Sequence, residues 1–277
     1  MKTVREAFTE AKMLLEKAAV EDAAFEVTVL MEDLLGLPKQ PSLSTPETVL
    51  GEEQLAVLKK AVEKRCEHYP LQYIVGNWEF YGRRFAVGEG VLIPRQETEL
   101  LCECVLHYFK KRQPPRIVDL CSGSGCIAIT LSEEIPGSAV TAVELYDGAC
   151  RYLRKNAESY GNKVNVVEGD ALVPFGEFDC VTANPPYVAE TERSSLQKEL
   201  SFEPETSIFG GEDGLMLYRG IAENWYPHLT EGGLIAFEID NTQGRAVEAI
   251  LKESGYYGVS VWEDYAGLDR IVTGMKP

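Results

Sequence analysis

The sequence lacks most of what several function classes require. No apolar run approaches the roughly 18 residues of a membrane span. Lys and Arg together number 27 against 44 Asp and Glu in 277 residues, a net charge of −17. A surface that acidic repels phosphate backbones and argues against sequence-independent nucleic-acid binding. There are only 3 histidines, of which His68 and His228 read as surface or helix-end residues. The 7 cysteines are an odd count, scattered over positions 66, 102, 104, 121, 126, 150 and 180. Cys102, Cys104 and His107 have no second ligand pair at zinc-like spacing, so no metal is expected. Such scattered thiols in apolar surroundings read as reduced and buried. Residues 1–18 mix charge with apolar side chains and show no separate apolar core. The expectation is therefore no leader peptide and a cytoplasmic location. Repeats and low-complexity segments are missing too.

What is present is ordinary globular composition, 45% hydrophobic and 26% charged, in a length that suits one large domain and one small one. Residues 1–83 read as helical. Apolar residues at 4, 8, 11, 14, 15 and 18 have helical spacing, a second helix closes at Gly36 and Pro38, and a third runs from Glu52 to about His68. Residues 77–95 are aromatic and alternating, with Gly88 and Gly90 as turn signals, and are expected to form a short hairpin joining two domains, with 84–95 as the β-hairpin linker. Residues 97–112 read as an amphipathic helix with Leu100, Leu101, Cys104, Val105 and Tyr108 inward. From Arg116 strands alternate with helices through residue 274. This predicts an α/β fold, a doubly wound, mainly parallel sheet of seven strands, over 96–277. Such sheets bind ligands at the carboxyl ends of their strands.

The first strand, RIVDL, runs into Cys121-Ser122-Gly123-Ser124-Gly125 and then a helix. Gly123 and Gly125 allow close backbone approach, and the helix start offers free N–H groups. Glu144, ending the next strand, is placed to accept hydrogen bonds from both hydroxyls of a ribose. A dinucleotide and S-adenosylmethionine both fit. Asp119 at the first strand's tip favours the latter, because a carboxylate repels pyrophosphate and suits a cationic sulfonium or amino group. Asp170 is either an adenine-amine acceptor, with the Ala171 N–H beside it, or a solvated turn residue.

Asn184-Pro185-Pro186-Tyr187 follows the fourth strand directly. Two prolines stiffen the turn and remove donors, leaving carbonyls to accept. The Asn184 side-chain oxygen and the Pro185 carbonyl together hold both hydrogens of an –NH2 group, while Tyr187 is expected to stack on a flat substrate. A delocalised amide or aromatic-amine nitrogen is a poor nucleophile. Two acceptors aim its lone pair at a methyl group, so orientation does most of the work and no strong base is required.

These segments resemble the HemK/PrmC-type protein methyltransferases. The resemblance covers nearly the whole chain: PLQYIVGNWEFYG (70–82), IPRQETE (93–99), DLCSGSGCIA (119–128), GDAL (169–172), NPPY (184–187), FEPETSIFGGEDGL (202–215), FEIDNTQG (237–244) and DYAGLDRIVTG (264–274). It implies a class I, Rossmann-like S-adenosylmethionine-dependent methyltransferase that methylates the N5 amide of the Gly-Gly-Gln glutamine in peptide chain release factors during translation termination. S-adenosyl-L-homocysteine would be the product. Residues 121–125, Glu144, Asp170 and Ala171, with Asn184 at the reactive end, would hold the cofactor. Asn184, Pro185, Pro186 and Tyr187 would hold the substrate, and the helical domain would grip the release factor. The expected protein is a monomer without membrane or direct nucleic-acid partners. NPPY is shared with enzymes that methylate adenine or guanine amines in nucleic acid, which is the alternative function. Departures from the family pattern are Cys121 for glycine, Gln96 for proline, and Glu-Ile for Glu-His at 238–239. Arg95, Glu97 and Thr98 line the site in the family manner, or Glu97 and Thr98 simply start a helix. Glu238 and Gln243 shape the site or cap the next helix. The loop 188–213 is long enough to be a lid.

Overall fold

The computed structural model describes residues 1–195 and 198–277. The chain divides into two compact units, Met1–Asn77 with Gln197–Phe202, and Trp78–Leu196 with Glu203–Pro277.

The first unit contains β1 (Lys2–Thr3), α1 (Val4–Lys17), α2 (Ala23–Leu35), α3 (Pro41–Ser44), β2 (Val49–Leu50), α4 (Glu52–Cys66) and α5 (Leu71–Val75). α1 starts where a capping box allows it: the Glu6 N–H donates to Thr3 Oγ1 at 3.2 Å and the Thr3 N–H to Glu6 Oε2 at 2.8 Å. Val4, Ala7, Ala11 and Leu15 then form its buried stripe against Val27, Leu30 and Met31 of α2 and Leu58 and Val62 of α4. One charged side chain lies in this interior. Arg65, 5% exposed, donates from Nε and Nη2 to Glu26 at 2.6 and 3.1 Å and from Nη2 to Glu199 at 3.0 Å. Glu199 comes from the short 3-10 turn Lys198–Phe202 and also meets His68 Nδ1 at 3.1 Å.

The second unit contains all but the first residue of β3 (Asn77–Phe80), then β4 (Arg83–Ala86), α6 (Glu99–Phe109), β5 (Arg116–Leu120), α7 (Cys126–Glu134), β6 (Ala139–Glu144), α8 (Asp147–Ser159), β7 (Val164–Glu168), β8 (Phe178–Ala183), α9 (Met216–Trp225), β9 (Leu229–Glu238), α10 (Gly244–Glu253), β10 (Tyr257–Glu263) and β11 (Asp269–Met275). The hairpin is β3–β4, inside the expected 77–95 stretch and overlapping 84–95 only at its end. Its turn is Tyr81-Gly82, both at positive φ (+50° and +68°), the geometry that matches strand twist. Gly88 and Gly90 serve packing instead. A Cβ on Gly88 would lie 2.1 Å from the Tyr152 hydroxyl, and Gly90 faces the backbone of Gly148.

The seven-stranded sheet runs β10-β11-β9-β8-β5-β6-β7. β9, β8, β5, β6 and β7 are parallel, and β11 pairs antiparallel with both β9 and β10. The order reverses between β5 and β8, which opens a crevice at their carboxyl ends. α6, α7 and α8 bury Leu101, Val105, Ile127 and Leu153 on one face of the sheet. α9 and α10 bury Tyr218, Trp225, Val247 and Leu251 on the other. Among the described residues no helix is long and apolar enough to cross a membrane.

Replacing Arg65 with Met leaves Glu26 buried and uncompensated. The expected loss is about 3 kcal/mol in denaturant unfolding of the full chain, with the double variant Arg65→Met, Glu26→Leu recovering most of it.

Candidate active site

A cleft of about 430 Å3 opens where β5, β6, β7 and β8 end. Its floor is the turn after β5. Cys121, Ser122, Gly123 and Ser124 line it, as do Glu144 from β6, Asp170 and Ala171 after β7, and Asn184 and Pro186 after β8. These nine positions of the sequence expectation meet at one place. Four others stand behind it.

Asp119 is fully buried and does not reach the cleft surface. Its Oδ1 accepts from the Thr182 hydroxyl at 2.8 Å, its main-chain carbonyl accepts from Ser122 Oγ at 2.7 Å, and Oδ2 has no partner among the described residues. Burial pushes its carboxyl up to about 7. Asp119 therefore supports the turn rather than touching a ligand. Gly125 also differs from its reading. At φ +83° its missing Cβ leaves room for Leu153 of α8, whose Cδ1 would lie 2.5 Å away. Only Gly123, with open space around it, gives a ligand close backbone access. Pro185 is buried within the bend. Tyr187 packs against the core under α9 and α10 instead of facing the cleft. The aromatic residues of the wall are Tyr146 and Phe209, with the Arg193 guanidinium 4.1 Å above the Phe209 ring.

Cys121 occupies a left-handed conformation, φ +57°. That explains why glycine is the residue the family pattern calls for here. Glu144 is almost wholly buried. Its Oε1 accepts the N–H groups of Leu145 (2.9 Å) and Tyr146 (3.0 Å), and its Oε2 accepts Gly123 N–H at 2.8 Å. Oε1 is thus saturated and Oε2 keeps one acceptor direction. Asp170 Oδ1 closes a turn onto Leu172 N–H at 2.8 Å, and the residue also lines the cleft.

The bend Asn184–Tyr187 is clamped from outside. Gln243 Nε2 donates to the Tyr187 carbonyl at 3.0 Å. Val188 and Phe209 form a parallel bridge, with Val188 N–H to Ile208 O and Gly210 N–H to Val188 O both at 2.9 Å. A Cβ on Gly210 would stand 2.3 Å from the Pro186 carbonyl, and one on Gly214 would stand 2.1 Å from that of Tyr187. The FGGEDG run is therefore a backbone-to-backbone contact. Asn184 Nδ2 donates to Thr98 Oγ1 at 3.3 Å. Its Oδ1 and the Pro185 carbonyl take no bond from the described residues. The loop 188–213, of which residues 196 and 197 lie outside the described residues, adds Glu190, Arg193, Glu205, Thr206, Ser207 and Phe209 to the cleft wall.

Two groups were illegible in sequence. Asn156 of α8 ties the hairpin to the Gly-rich turn: its Nδ2 donates to Ala86 O and Ser124 O at 3.1 and 2.8 Å, and its Oδ1 accepts Ala86 N–H at 2.7 Å. Glu203 is buried, and takes the Ile93 N–H at 2.9 Å and the Arg95 guanidinium. A polar residue on a helix face or in a loop gives no signal of either role.

Two family models match: the PrmC N-terminal domain over residues 6–76 and the methyltransferase small domain over 96–203. A release factor glutamine methyltransferase of Thermodesulfovibrio yellowstonii is 42% identical over 241 residues, 84% of this chain and 86% of that protein. The protein of the same name from Bacillus subtilis is 35% identical over 288 residues, 99% and 98% of the two chains. The chain belongs to the release factor glutamine methyltransferase family. Among solved structures, the hMettl16 catalytic domain has a TM-score of 0.57 at 16% identity, covering 80% of this chain and 81% of that one. RsmC from T. thermophilus, solved with AdoMet and guanosine, has 0.53 at 15%, covering 73% and 50%. They share the class I methyltransferase fold with this member of the family.

Two outcomes follow from the floor of the cleft. Cys121→Gly removes the left-handed strain and raises unfolding free energy by about 0.5–1 kcal/mol in urea titration. The Asp119 carboxyl holds its proton more tightly folded than unfolded. The stability it contributes is complete below about pH 4 and is lost as pH rises through about 7. Asp119→Asn should therefore narrow the fall in Tm between about pH 5 and pH 8, measured by thermal melts.

Proposed function

We propose that this protein transfers a methyl group from S-adenosylmethionine to the side-chain amide nitrogen, N5, of the glutamine in the Gly-Gly-Gln motif of peptide chain release factors. The observation that carries the reading is the clamped bend at the tip of β8. Asn184 lines the cleft there, and neither its Oδ1 nor the adjoining Pro185 carbonyl takes a hydrogen bond from the described residues.

The cleft suits the donor molecule. Glu144 Oε2 retains an acceptor direction for a ribose hydroxyl, and Asp170 with the Ala171 N–H stands at the adenine end. Gly123 leaves room for the chain between them. The carboxylates Glu144 and Asp170 lie in the wall, with Asp119 behind it, a field that favours a cation. When bound, S-adenosylmethionine supplies an electrophilic methyl on a positively charged sulfur.

The protein's part is positional. Asn184 Oδ1 and the Pro185 carbonyl accept the two amide hydrogens and turn the nitrogen lone pair toward that methyl. As the N–CH3 bond forms and the S–CH3 bond breaks, the amide nitrogen becomes acidic and releases a proton to water. The leaving sulfur is neutral. Pro186 and Tyr187 stiffen the bend, Tyr187 from its core side. Residues 1–83 act as the domain that grips the release factor, joined through 84–95 to the methyltransferase domain 96–277. The enzyme works as a cytoplasmic monomer in translation termination, without direct nucleic-acid contact, in keeping with the charge of −17.

Incubation with labelled S-adenosylmethionine and a release factor should label the factor. Replacing the Gly-Gly-Gln glutamine with Ala should abolish the label, and label that persists there overturns the proposal. Asn184→Ala should lower kcat by at least about a hundredfold while cofactor binding stays close to wild type by calorimetry.

A further inference from the structure

Two acceptors define a line, not a plane. An amide whose –NH2 hydrogens are held at Asn184 and Pro185 can still tilt about the axis joining its two contacts, and the nitrogen lone pair tilts with it. A third contact is needed, and a flat one suits a planar group. Tyr187 does not supply it, since its ring packs into the core.

Two aromatic residues do line the cleft, Tyr146 and Phe209, and the topology separates them. Tyr146 comes just after Glu144 at the end of β6, whereas the acceptor bend follows β8, and β5 lies between those two strands. Tyr146 therefore stands on the donor's side. Phe209 goes with the bend. It forms the parallel bridge with Val188, the residue after Tyr187, and the flanking bonds from Val188 N–H to Ile208 O and from Gly210 N–H to Val188 O are both 2.9 Å. Its neighbour Gly210 lies against the Pro186 carbonyl. The Phe209 backbone is thus fixed to the stretch of chain that carries Asn184.

The ring is steadied as well. The Arg193 guanidinium stands 4.1 Å from its centroid. Glu205 accepts from both Nη1 and Nη2 of Arg193, and Glu190 accepts from Nη2 at 3.3 Å. Ion pairs as exposed as these add little to stability. Their effect here is to keep a cation stacked on the one ring beside the bend.

We propose that Phe209, backed by Arg193, is the substrate-contacting wall that sets the plane of the acceptor amide at the bend. The proposal rests on the reading that Asn184 and Pro185 hold that amide, and it gives Phe209 the stacking role expected of Tyr187. A release factor meets the enzyme over far more surface than one side chain. Loss of the ring therefore falls on the rate of transfer rather than on capture of the substrate.

The bridge is made by main-chain atoms, so the ring can be changed without breaking it. The test compares Phe209→Leu, which keeps apolar bulk and loses the flat face, with Phe209→Tyr, which keeps both. Methylation of a release factor is read as kcat and KM separately, with S-adenosylmethionine affinity by calorimetry and Tm alongside. Phe209→Leu should lower kcat about tenfold, with KM, cofactor affinity and Tm near wild type. Phe209→Tyr should restore most of the rate, and Arg193→Met should lower kcat about threefold, because the ring itself remains. Wild-type kcat in Phe209→Leu overturns the proposal, and wild-type kcat in Arg193→Met overturns the backing role of the arginine. An equal loss of cofactor affinity in Phe209→Leu overturns it too, since the ring would then belong to the donor's side. So does a defect confined to KM, or one that Phe209→Tyr does not restore. Activity in Asn184→Ala, measured in parallel, overturns the reading beneath the proposal, and the proposal with it.

Discussion

Everything at this site depends on one backbone contact, the bend after β8 lying against the glycine run at 210–214. The Pro186 and Tyr187 carbonyls approach so closely that neither Gly210 nor Gly214 has space for a side chain. Gln243 closes the contact by donating to the Tyr187 carbonyl while its own Oε1 accepts from Asp240 N–H at 3.2 Å. Two prolines restrict the bend from within and this packing restricts it from without. On the proposed reaction, an acceptor pair that holds a trigonal nitrogen in line with a methyl group has little tolerance for displacement, and a shift of about 1 Å can cost a hundredfold in rate. The remoteness of residues 210–214 and 243 from Asn184 in sequence is thus no measure of their distance from the chemistry.

The electrostatics follow the same economy. Glu144 and Asp170 line the cleft, and Asp119 stands just behind, raised by its burial. Burial makes the Asp119 carboxyl costly to ionise. On the proposed reaction a sulfonium supplies the positive charge, and methyl transfer removes it, because the leaving sulfur is neutral. The field that draws the donor in therefore loses its hold on the product. The two cleft arginines do not cancel this field, since Arg95 is engaged by Glu203 and Arg193 by Glu190 and Glu205.

The sheet, its helices and the location of the cleft were readable because they rest on local signals: buried β-runs, helical periodicity, and glycines or prolines at strand ends. Nine of the expected site positions line one cleft for that reason. Direction was harder to read. Asp119, Gly125 and Tyr187 sit at the right places in the chain, yet their side chains or missing Cβ atoms face inward. The pleat and the packing of α8, α9 and α10 decide that, and neither is written in a motif. The turn of the hairpin was harder to read: Gly88 and Gly90 look like turn residues, whereas Tyr81, an unusual residue at φ +50°, makes the turn with Gly82. Asn156 and Glu203 act through partners tens of residues away, which single-sequence reading does not reach.

The chemistry also accounts for what the cleft is made of. A general base would need a group poised to take a proton, yet neither histidine nor lysine is among the described residues that line the cleft, and its carboxylates are already engaged, Glu144 and Asp170 by backbone N–H groups and Glu190 and Glu205 by Arg193. An amide nitrogen does not require one. It holds its protons tightly until methylation has begun and loses one readily afterwards, so a base in the ground state would have nothing to remove. What the amide does require is loss of conjugation and a fixed direction of attack. Fixed acceptors supply both without reorganising as charge develops.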